Sequence, residues 1–380
     1  MTYLTASDEL TGNAQLETPA ATQAGYQAKF RDNARANTAV RPGDDARASS
    51  AVGTRTWSAA VARAVRWHPP LMLFAAIMAV LAVVATVGMF VDDREILGDP
   101  VWLKPWKFAI SFVLYAVTLA WMISLVSRGR RIASLAGTAI ALSGAVEVGL
   151  IVFQAARGRM SHFNQTTELD GTIWSLMGMT IAVLWTATLI VGLVLLFSPV
   201  PDRASRWAVR LGVAMALVGM AVGMLMVMPT PEQAAAEAAG IDVSIVGAHS
   251  VGVPDGGPGM PLTGWSLTGG DLRIPHFVGM HGLQALPLLA ILLGALGASG
   301  RRWARVLDPI RRARLIFVAA ASYAGLLWLL TWQALRGQPL LSPDSLTLAA
   351  AGTLAGATIL ATIVALRYRG RQGTGSRAGR

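Results

Sequence analysis

The residues of this chain with the most chemistry are few. There is no cysteine, which excludes disulfides, thiolate metal sites and thiol redox couples, and there are five histidines. Glu147 is followed by Gln154, Arg157 and Ser161, steps of seven, three and four residues that share one stripe of an α-helix. In "RIPHFVGMHGLQALP", His281 and Gln284 are one turn apart, while His276 lies about 140° around the helix from His281. That angle excludes a metal pair of the i, i+4 kind on this helix. Lys104, Trp106 and Lys107 stand in "WLKPWKF", His162 and Asn164 in "RGRMSHFN", and Gln333 and Arg336 in "WQALRG".

Two chemistries fit these residue types. Neutral imidazoles of His162, His276 and His281, brought from different segments, could ligate haem iron or a divalent metal, with Glu147 and His281 handling protons as a catalytic pair. Alternatively, Lys104, Lys107, Gln154, Arg157, His276, Gln284, Gln333 and Arg336 could hold a small anionic molecule in a receptor or transporter site. No motif spacing separates an enzyme from a binding protein here. Plainer roles are also open. Glu147 could pair with Arg157, Lys104 or Arg336 to join helices, the tryptophans suit a membrane-interface belt, and His68 and His249 stand in no supporting pattern.

The elements that must position these groups are transmembrane helices. The chain is 54% hydrophobic and only 14% charged, whereas soluble domains are about a quarter charged. Eight apolar runs, near 70–91, 106–126, 132–155, 172–198, 208–229, 275–296, 313–334 and 346–366, can each cross a hydrocarbon core, which takes about 20 helical residues. They are continuously apolar instead of alternating, so they are helices and not barrel strands. The expected fold is an all-α polytopic bundle in contact with the lipid bilayer.

A formal charge of +11 would suggest a nucleic-acid partner in a soluble protein. Its distribution points instead to orientation, with no nucleic acid. Twenty arginines fall at 55–66 just before the first span, in the 2–3, 4–5 and 6–7 loops and after the last span, opposed in those segments only by Asp202 and Asp308. The remaining loops carry seven basic residues and twelve acids. The positive-inside rule then places both termini in the cytoplasm. Residues 1–60 are polar and read as a disordered cytoplasmic tail, 61–368 as the transmembrane domain and 369–380 as a basic tail.

The polar candidates all fall in the halves of the spans away from the arginines, whereas stretches such as "LIVGLVLLF" on the arginine side are apolar. That asymmetry predicts a polar pocket open to the exterior for an unknown small molecule. Its roof would be the longest connection, 230–274, where Thr230, Pro231 and Gln233 predict a short capped helix before a Gly/Pro-rich stretch. An internal repeat is visible too. "FQAARG" (153–158) recurs as "WQALRG" (332–337), and "GDPVWLKPWKF" (98–108) is matched by "GDLRIPHF" (270–277), which fits two sets of four spans in parallel orientation.

The combination of "WLKPWKFAISF", "QAARGRMSHFN", "GAHSVGVPDGGPGMPLTGW", "GGDLRIPHFVGMHGLQALPLL" and "WQALRGQPL" resembles an uncharacterised group of multipass integral membrane proteins from actinobacteria. The likeness covers residues from about 65 to 350. It implies a bacterial inner-membrane location and assigns no reaction and no functional residues.

Overall fold

The structure is a computed structural model that describes residue 59 and residues 61–367. The tails expected at 1–60, residue 59 apart, and at 369–380 lie outside the described residues. All elements named below belong to the unit that begins at Ala64.

In chain order the helices are α1 (Pro69–Val91), α2 (Leu103–Ser124), α3 (Arg130–Ala156), α4 (Glu168–Phe197), α5 (Arg203–Val222), the short α6 (Pro231–Ala238), α7 (Arg273–Ala298), α8 (Pro309–Leu335) and α9 (Ser345–Arg367). All but α6 are long and apolar enough to span a membrane. Large apolar side chains such as Phe90, Leu135, Leu142, Trp328 and Ile359 are exposed on their outer faces. Water would penalise that surface and lipid does not. The chain is an all-α, multi-pass integral membrane protein.

Polar residues set the helix ends. His68 accepts the Leu71 amide ahead of Pro69 at the start of α1, and its other ring nitrogen meets the Ser134 carbonyl at 2.9 Å. This histidine is a cap and an inter-helix tie. Thr167, Asp202 and Asp308 cap α4, α5 and α8 in the same way. The Thr167 cap explains why α4 begins at Glu168 instead of 172; α2 begins at Leu103 instead of 106 without a side-chain cap. Hydropathy does not register polar first turns.

Neighbouring spans form hairpins: α1 with α2, α3 with α4, α5 with α7, and α8 with α9. The α5–α7 seam is the tightest. Gly219 and Gly279 meet backbone to backbone, so a Cβ on either would collide with the other chain, and Gly212 lies against the Gly282 carbonyl. Just before α2 and before α7 the chain makes a two-stranded antiparallel ribbon. The first pairs β1 (Glu95–Ile96) with β2 (Asp99–Pro100), the second β3 (Ser250–Val251) with β4 (Gly270–Asp271).

The repeated motif recurs in its contacts as well as its letters. Gln154 and Gln333 are both buried and both donate from Nε2 to the carbonyl six residues on, Met160 and Pro339. Gly158 and Gly337 both turn the chain at positive φ, 65° and 72°. Arg157 lies over Phe153 and Arg336 over Trp332. Each arginine then pairs with an acid at the start of the next helix, Asp170 at 2.7 Å and Asp344 at 2.6 Å. The α3–α4 and α8–α9 hairpins are thus closed by the same clamp.

Candidate functional site

Eight successive spans put the connections α1–α2, α3–α4 and α5–α7 at the end opposite the arginine-rich loops. A cavity of about 460 Å³ lies at that end, within the range of roughly 300–1,000 Å³ usual for small-molecule sites. Its walls come from the first turns of α2 and α7, the β1–β2 ribbon and the turn after α3, and the α5–α7 connection crosses it.

That connection is irregular but tied down. The Thr230–Gln233 capping box starts α6, and the Gln233 side chain goes on to hold both the amide and the carbonyl of Gly247. Val246 donates to Phe163, Ala248 to Met226 and Leu272 to His249. The Asp255 carboxylate accepts from the amides of His249 and Ser250 and from His249 Nδ1 at 2.9 Å. Those bonds stabilise the charged carboxylate and hold it well below its usual range. Burial pushes the His249 imidazole down, favouring its neutral form, although Asp255 pulls the other way. With Nδ1 engaged, Nε2 of His249 is left as the free ring nitrogen at the cavity.

The turn after α3 brings a second imidazole–carboxylate pair. Phe163 sits at φ 65°, a left-handed conformation rare for an aromatic residue. The bend presents His162 to the cavity while Phe163 itself is buried. His162 Nδ1 is 3.1 Å from the Ser161 hydroxyl, and Nε2 is 3.9 Å from Glu147 Oε1. Burial lowers the His162 pKa well below the ordinary imidazole value, and Lys104, His249 and His276 add to the effect. Glu147 is 1% exposed; Thr180 donates to its Oε2 at 2.9 Å, while Oε1 has no hydrogen-bond partner.

Cations outnumber acids around the cavity. Lys104, Lys107, Arg159 and Arg273 line it, against Asp99 and Asp255. Arg273 is neutralised by Asp271 at 2.6 Å, and Lys107 spends one donor on the Thr263 carbonyl. Lys104 makes no hydrogen bond and no ion pair with any described residue; its charge is felt by Lys107, Arg273, Glu147 and Asp255.

The sequence candidates separate into two groups. Lys104, Lys107, His162 and His276 line the cavity, and Glu147 lies just behind His162. His276 Nδ1 bonds to the Gly219 carbonyl at 2.8 Å across the α5–α7 seam. Gln154, Arg157, Gln333 and Arg336 do not line the cavity, because the two clamps consume them. His281 is absent from the lining too, its ring facing Gln284 at 3.4 Å on the same helix. The helix angle that separates His281 from His276 sends only the latter inward. Glu147 and His281 are therefore not brought together, and His162, His276 and His281 do not converge. No group of three His, Asp or Glu side chains suited to a metal ion occurs among the described residues.

Sequence reasoning missed His249 and Asp255. Both lie in a stretch without periodicity, and the useful signal was the acid six residues after the histidine in a Gly/Pro-rich turn, "HSVGVPD". Comparison with family models, with curated proteins and with solved structures gave no match.

Proposed function

We propose that this cavity binds a small anionic molecule at the outer face of a bacterial inner membrane. The arginine-rich end is then cytoplasmic, as the positive-inside rule expects. Lys104 carries the reading, since it is a cation at the cavity with no hydrogen bond or ion pair among the described residues. Lys107 and Arg273 add positive potential, and the neutral imidazoles of His162 and His249 can donate to or accept from a bound oxyanion. Holding an unpaired ammonium in a partly buried site, away from bulk water, is costly, and an anion supplies the missing counter-charge. The apolar arginine-side halves favour capture at one face over passage through the bundle.

Thermal unfolding of the detergent-purified protein tests this against sulfate, phosphate and small di- and tricarboxylates. At least one anion raises the unfolding temperature of the wild type, by linkage to the folded state. The Lys104→Met variant loses that rise. A rise of the same size in Lys104→Met, or none with any anion in the wild type, overturns the reading. A Soret band in the visible spectrum of the same preparation would replace it with the haem reading.

A further inference from the structure

Two ionisable groups of opposite sign near this cavity have bonding capacity left unfilled. Glu147 Oε1 is buried without a hydrogen bond, and Lys104 has neither hydrogen bond nor ion pair among the described residues. Each feels the other's charge. His162 stands between Glu147 and the cavity, 3.9 Å from Oε1 and itself part of the lining.

A buried carboxylate is tolerated only with a counter-charge; without one it takes up a proton. Among the described residues, Lys104 from α2, the Thr180 hydroxyl from α4 and the His162 ring from the α3–α4 turn are the groups in contact or in electrostatic reach of Glu147. Lys104 in turn feels Lys107, Arg273 and Asp255, and His162 feels His249 and His276. Of these, Lys104 is the cation the cavity's ligand would also claim. Once an anion pairs with it, the charge of Lys104 no longer favours the ionised form of Glu147 against the burial that opposes it.

We infer that Glu147 is a proton-binding site coupled to the anion site: each anion that pairs with Lys104 brings one proton onto Glu147, delivered from the cavity through the His162 imidazole. The inference rests on the anion reading above and adds a second ligand, the proton. No covalent bond changes. The proton comes from bulk water through the cavity, passes to His162 Nε2 and on to Glu147 Oε1, and its positive charge offsets one negative charge of the bound anion.

The coupling has two independent readouts. Sulfate, whose charge is constant near neutral pH, is titrated into weakly buffered protein while proton uptake is followed. The wild type takes up about one proton per sulfate bound, and its sulfate affinity weakens about tenfold per pH unit across the linked range. Glu147→Gln binds sulfate without proton uptake and without that pH dependence. Uptake that persists in Glu147→Gln, or wild-type binding with no uptake, overturns the coupling.

The second readout needs no ligand. Lys104→Met removes the counter-charge as an anion would, so the infrared C=O stretch of a protonated carboxyl appears in Lys104→Met and vanishes in Lys104→Met/Glu147→Gln. If Lys104→Met lacks that band, Glu147 is not the proton site, whatever sulfate does. If the band is present but no anion binds the wild type, the anion reading and the coupling fall while the proton site stands.

Discussion

The α3–α4 and α8–α9 hairpins carry the same clamp and differ in what stands around it. Seven residues before the clamp glutamine, the first hairpin has Glu147 and the second Leu326; eight residues after it, the first has His162 and the second Leu341. Glu147 is buried and His162 lines the cavity, whereas Leu326 and Leu341 are exposed, 38% and 63%. The clamp is therefore what a hairpin of this kind needs in order to close. The glutamate and histidine are additions that closing does not require. Polar residues at one helix end thus serve two separate purposes, and only those with unfilled bonding capacity mark the site.

The comparison breaks most readily by exchanging its two halves. Leu326→Glu places a carboxyl on the exposed, apolar side of α8, and a cost of roughly 2.5 kcal/mol or more is expected, read as a lower unfolding temperature and lower membrane yield. The reverse change, Glu147→Leu, removes a buried oxygen without a partner and raises the unfolding temperature, with a gain of about 1 kcal/mol. A loss of stability in Glu147→Leu would mean that Glu147 serves the fold as the clamps do.

Next in size is a contrast between the clamps. Asp170 is 1% exposed and its carboxylate accepts from Gln154, Arg157 and the Thr167 hydroxyl, to which its own amide donates, so Asp170→Ala should cost about 2 kcal/mol. The Asp344 side chain is 38% exposed, and water can replace its contacts. Asp344→Ala should lower the unfolding temperature by clearly less. Equal losses would show that the two clamps do equal mechanical work despite their different burial.

The smallest expected effect sharpens the cavity side. His162 and His249 are both held with pKa values below the unfolded imidazole value of 6.5. An imidazole depressed in the fold binds its proton more readily when unfolded, so stability is full above pH 6.5 and falls as pH drops below it. Each histidine contributes at most about 1.4 kcal/mol per pH unit. Unfolding temperatures measured from pH 7.5 to about pH 5 should fall, and less steeply in His162→Gln. An identical slope in that variant would show that His162 is already free to charge in the fold.

Much of the fold was legible in the sequence, because hydrocarbon selects on a property that each residue carries by itself. Span number, helix type and the Thr230–Gln233 cap depend only on local composition and spacing. The repeat was legible too, since its glutamine, arginine and glycine recur in fixed order. Partnership was not. Gln154 and Arg336 look like binding residues until Asp170 and Asp344, which lie across a turn of variable length, are seen to absorb them. His249 looked inert because its environment is created by a loop with no period to read. His68, at the arginine-side end, caps a helix, a role set by the neighbouring Pro69 and Ser134 and not by any pattern around it.

At the Gly219–Gly279 crossing no side chain separates α5 from α7, and a histidine of one is bonded to a carbonyl of the other. Side chains that interlock can swap rotamers and let helices slip; bare main chains in contact have no such lubricant. These two spans should travel as a single beam. Whatever motion admits a ligand then falls to the ribbon and loop above them, which makes the doorway, and not the frame, the moving part.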